Sequence, residues 1–158
     1  MKKLLFVLLA LGSLVAPASA QSGSVDAFVE LLRSDIKTQK VSILTEVMEF
    51  TTDQASVFWP IYRDYEKDSA KLTDLELNLL KEYAGIFDSM TDTQAKEMSK
   101  RFFKLEEDKL KLRKKYHDKV AGKLGAAEAA KFSQIDNQIN SLIELQLYSN
   151  LPLFQKAK

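Results

Sequence analysis

His117 is the place to begin a search for chemistry, because it is the chain's one histidine and there is no cysteine. One imidazole without a thiol cannot build a Cys/His pair or a multi-histidine metal site. A Ser/His/Asp triad would have to use His117. That residue stands in Lys114-Lys115-Tyr116-His117-Asp118-Lys119, a basic stretch that disfavours charging the ring and offers no shelter from water, so it reads as a surface histidine. Helical bundles that hold two iron atoms use Glu-x-x-His ligands, and no glutamate here has a histidine at the third position. The acidic triplet Glu106, Glu107 and Asp108 is expected to be spent on helix pairs such as Glu107 to Lys111. No catalytic, cofactor-binding or metal-binding residue is therefore expected, and the chain reads as non-enzymatic.

Two features remain that could meet a partner. Lys109, Lys111, Arg113, Lys114, Lys115, Lys119 and Lys123 face only Asp118 over the same stretch. Cations suit the negative end of a helix, which explains the cluster without an anionic ligand. Trp59, Phe103 and Leu110 are apolar residues outside the core stripes, and the last two are seven apart, hence on one line of a helix. They are the candidate surface for a client protein or a second copy.

Long amphipathic helices must position these residues. Phe58, Tyr65, Leu72, Leu79 and Ile86 recur every seven residues, with Ile61, Leu75 and Tyr83 assigned to the slots between them. This predicts one helix of about 35 residues and roughly 50 Å. Ala95, Met98, Phe102, Leu105, Leu112 and Tyr116 mark another, and Phe132, Ile135, Ile139, Leu142 and Gln146 a third. Upstream, Phe28, Leu31, Leu32, Val41, Leu44 and Met48 predict a first helix over about 25–49, with Ser24 as N-cap and Asp26 in its first turn. Strand signals are missing. The fold class is all-α, about four long helices. Trp59 precedes Pro60, which is expected to kink or loosen the early second helix.

Ahead of these helices Lys2 and Lys3 precede an apolar run from Leu4 to Val15, which ends in Ala18-Ser19-Ala20. A charged start, a short apolar stretch and an A-x-A site read as a secretory signal peptide over 1–20, leaving one helical domain over 21–158. The run is short for a membrane span, which takes about 20 apolar residues, and no second one follows. A double-membrane bacterium would place the product in the periplasm. Without Lys2 and Lys3 the 23 basic residues become 21 against 22 acidic ones, a formal charge of −1. Nothing global draws such a chain to nucleic acid, and without cysteine its stability must come from packing.

The helix starts carry the most specific pattern. Phe50-Thr51-Thr52-Asp53-Gln54-Ala55 and Met90-Thr91-Asp92-Thr93-Gln94-Ala95 both read as capping boxes built on Thr51 with Gln54 and Thr91 with Gln94, with Phe50 and Met90 as hydrophobic staples. Leu124-Gly125-Ala126-Ala127-Glu128-Ala129 is a degenerate third copy with Gly125 at the cap. Paired Thr-x-x-Gln helix starts behind an export signal resemble the Spy/CpxP family of periplasmic proteins with its LTxxQ motifs. Thr51, Gln54, Thr91 and Gln94 match residue for residue, whereas Phe50 and Met90 stand where the family has Leu. The resemblance implies an antiparallel, cradle-shaped homodimer that binds unfolded clients without ATP or modulates an envelope stress sensor. A regulatory helical partner of one envelope protein, without general chaperone activity, is the alternative.

Overall fold

A computed structural model describes residues 38–149, 151 and 153. The expected signal peptide, Ser24 and most of the expected first helix lie outside the described residues, as does the side chain of Gln146. The described residues are helical, with no strand among them: α1 over 38–48, α2 Thr52–Ile86, α3 Asp92–Leu124 and α4 Ala126–Tyr148. Val41–Lys158 forms one compact unit. No helix among the described residues is long and apolar enough to cross a membrane.

Each boundary has a local cause. The Thr51 hydroxyl accepts from the Gln54 amide at 3.3 Å, and Gln54 Oε1 accepts from the Thr51 amide at 3.0 Å. Thr91 and Gln94 repeat this reciprocal pair at 3.3 and 2.9 Å. Orphan amide donors at both helix starts are thereby satisfied. Met90 is buried, while the Phe50 ring lies 4.7 Å from that of Phe58. Gly125 ends α3 and starts α4 at once. Its φ of 96° and ψ of 161° lie in a region essentially reserved for glycine. At the end of α1, Glu49 takes a left-handed φ of 52°, and Lys131 Nζ donates to the Met48 carbonyl at 3.4 Å. Helix α2 runs on through Pro60.

Cross-helix bonds fix the directions. Asp68 meets Lys115, Glu76 meets Lys109 and Glu82 meets Arg101, so α2 and α3 are antiparallel. Lys109 to Glu144, Arg113 to Asn137 and His117 to Ser133 do the same for α3 and α4. The main core is aromatic. Phe58, Tyr62, Tyr65, Tyr116 and Phe132 pack with Leu44, Met48 and Val120, and the Phe58 and Phe132 rings meet edge to face at 5.3 Å. Burying side chains of this size contributes about 1.5–3 kcal/mol each.

The seam of α2 departs from the expected one in a specific way. Buried positions run Phe58, Tyr62, Tyr65, Glu76 and Leu79. Steps of four then three place Tyr62 and Glu76 in the slots that periodicity gave to Ile61 and Leu75. Ile61 is half-buried against the core, but Leu75 is 58% exposed. On α4 likewise, Leu142 is 68% exposed, and the buried set is Ala129, Phe132, Ile135 and Asp136.

Candidate functional site

The apolar candidates separate once the helices are assembled. Phe103 and Leu110 lie on α3 with 68% and 61% of their surface exposed. They follow the seam residues Phe102 and Lys109 by one position, which turns them about 100° from the line that contacts α4. Trp59 is different. It is half-buried against the aromatic core, edge-on to Phe58 at 5.2 Å and to Tyr62 at 5.7 Å. The structure does not bring it together with Phe103 and Leu110.

The groups around Phe103 and Leu110 are occupied with one another. Lys104 bonds Asp108, Lys111 lies 3.7 Å from Glu107, and Lys114 lies 2.9 Å from Asp118. Such exposed i,i+4 pairs contribute a few tenths of a kcal/mol each. The basic end of α3 is thus partly neutralised from within. Lys115 and the Tyr116 hydroxyl both donate to Asp68 on α2, at 3.0 and 2.8 Å. These bonds and one from Lys71 hold the Asp68 carboxyl well below the usual carboxylate range. Lys119 instead sits over the Tyr116 ring at 4.6 Å. Between α2 and α3 a shallow groove is lined by Leu72 and Leu112, with Lys71, Lys111 and Lys115 alongside Asp68 and Asp108.

His117 is not a surface histidine: it is half-buried, with Nδ1 2.8 Å from the Ser133 hydroxyl on α4. A basic sequence neighbourhood does not mean solvation on every side, because His117 turns toward α4 and Lys115 toward Asp68 on α2, while Lys114 stays exposed beside Asp118.

Sequence periodicity missed a charged layer inside the seam. Glu76, 4% exposed, accepts from Lys109 at 2.7 Å and from the Tyr148 hydroxyl. Lys109 Nζ also lies 3.1 Å from Glu106 and 3.3 Å from Glu144. Oxygens of Glu76, Glu106 and Glu144 come within 4.8 Å of one another, and the Lys109 ammonium supplies a cation among them. Burial alone would lower the Lys109 pKa, but the hydrogen bond and charge of Glu76, then those of Glu106, leave it raised. Burial, then the bond to Glu76, raises that of Tyr148. The one signal available in the sequence was the gap at position 109 of the α3 stripe, between Leu105 and Leu112.

No family model, curated protein or solved structure matches the chain.

Proposed function

We propose that the chain is a non-enzymatic binding protein of the cell envelope. It acts as an ATP-independent chaperone or stress modulator of the Spy/CpxP kind through apolar and charged helix surfaces. In this reading residues 1–20 are a cleaved signal peptide, the product is periplasmic, and the helices form an elongated antiparallel cradle that dimerises. The observation that carries it is the pair Phe103 and Leu110, seven residues apart on α3 and each more than three-fifths exposed. An apolar line of this kind rimmed by charge suits contact with another polypeptide. The matches at Thr51, Gln54, Thr91 and Gln94 support the family reading.

The deciding experiment is suppression of aggregation of an unrelated denatured protein at near-stoichiometric ratio. Activity in the wild type, with loss in Phe103→Ser/Leu110→Ser at unchanged helical content, supports the reading. No suppression by the wild type leaves the regulatory partner of one envelope protein.

A further inference from the structure

Buried packing does not run the length of α4. Ala129, Phe132, Ile135 and Asp136 are covered, and among the described residues no α4 side chain beyond Asp136 is fully buried. Ile139 still packs against the aromatic cluster, but over 141–148 the helix leaves Leu142 and Leu145 about two-thirds exposed, at 68% and 67%. Its contacts there include Glu144 with Lys109 at 3.3 Å, the Tyr148 hydroxyl on Glu76, and the Tyr148 ring 6.1 Å from that of Phe102. Beneath this half of α4 the α2–α3 seam sets the Glu76–Lys109 pair beside the buried Leu79 and Leu105. The first half of α4 is rooted by Phe132 in the aromatic cluster and by Asp136, which accepts from the Tyr65 hydroxyl at 2.6 Å.

We propose that residues 141–148 are a strap, latched by the Glu76, Lys109, Glu144 and Tyr148 layer, which releases as one unit while 126–140 stays packed. Opening free energy follows buried apolar contact, and among the described residues of α4 full burial ends at Asp136. An ionic latch suits reversible release because water re-solvates its groups on opening, which offsets much of what is lost. Release uncovers Phe102 on α3 and the half-buried Ile143 and Leu147 on the strap, enlarging the apolar surface open to a partner. The strap is a property of this chain alone and does not depend on the binding role proposed above.

Amide hydrogen exchange on the full chain, followed by mass spectrometry, tests it. A released segment of this length is marginally helical in water, so its amides exchange on opening. The expected result is that 141–144 and 145–148 exchange together, about tenfold or more faster than 129–136. Glu144→Gln with Tyr148→Phe should speed exchange further in 141–148 and leave 129–136 unchanged. Two wild-type results overturn the strap: equal protection along α4, or fast exchange confined to the last turn, which is ordinary fraying. In the variant, no acceleration or acceleration spread evenly over α4 overturns the latch.

Discussion

The Tyr65 hydroxyl on α2 donates a 2.6 Å hydrogen bond to the buried carboxyl of Asp136 on α4, 71 residues away. Asn140 Nδ2 donates to the same oxygen at 2.9 Å. A polar group is thus carried into an aromatic layer that would otherwise tolerate several helix rotations, and its bonds select one.

Tyr65→Phe keeps the ring and removes this donor. Leaving a buried acceptor short of a bond costs about 1–3 kcal/mol. Urea unfolding should therefore shift to a lower midpoint at unchanged slope. An unchanged midpoint would show that the bond adds nothing net.

Alkaline pH should weaken the fold. Burial, reinforced by Asp136 for Tyr65 and by Glu66 for Tyr62, pushes both phenols above their ordinary value, as it does for Tyr148. In the unfolded chain they ionise near about 10, whereas in the folded one they keep their protons. Above that pH the folded state binds more protons, so stability falls as pH rises, by up to about 1.4 kcal/mol per unit for each phenol. Lys109, also raised, acts in the same direction. At the acid end Asp68, Asp108 and Asp118 are lowered by their lysine partners, so what they add is lost as pH falls below the usual carboxylate range. Melting temperatures across pH 3–11, in wild type and in Tyr62→Phe/Tyr65→Phe, check both limbs. The double variant should lose the steeper part of the alkaline one.

The two ends of the buried ion pair are unequal. Lys109→Leu leaves Glu76, Glu106 and Glu144 facing one another and should cost about 3–5 kcal/mol. Glu76→Leu leaves Lys109 with Glu106 and Glu144 and should cost less. Replacing both by Leu should recover most of the loss relative to Lys109→Leu. Equal losses in the two single variants would mean that the layer is not organised around Lys109.

Helix-boundary variants should behave locally. Thr51→Ala and Thr91→Ala should each cost about 1 kcal/mol and leave client binding per folded molecule unchanged. Gly125→Ala meets no atom within 4 Å, so its cost of about 1–3 kcal/mol comes from the backbone alone. Glu49→Gly relieves a left-handed residue and should gain a few tenths of a kcal/mol. Calorimetry that finds Gly125→Ala neutral would place the constraint elsewhere.

What the sequence made legible was local. The Thr51–Gln54 and Thr91–Gln94 boxes rest on neighbours three residues apart, and the heptad from Phe58 to Ile86 marks a helix that runs Thr52–Ile86. Phe103 and Leu110 could be named as exposed because they fall beside the α3 stripe. What stayed hidden depends on partners far along the chain. Glu76 sits in the seam because Lys109 and Tyr148, 33 and 72 residues away, neutralise it. A count of apolar residues prefers Leu75 at that slot, since periodicity cannot see a pairing between helices. Trp59 was misplaced for a related reason: its neighbours Phe58 and Tyr62 build an aromatic wall broad enough to take it in. His117 was misplaced because its companion Ser133 belongs to another helix.

Gly125 has a consequence for how the chain tolerates changes in length. Because one residue both closes α3 and opens α4, the connection has no slack, and an inserted residue there would turn Phe132 and Asp136 about 100° away from their partners. The turn at 87–89 lies outside both flanking helices, ahead of the buried Met90 and the Thr91 cap, and can absorb an insertion without rotating either helix. Length variation among descendants of this sequence should therefore collect between α2 and α3 and be excluded at Gly125.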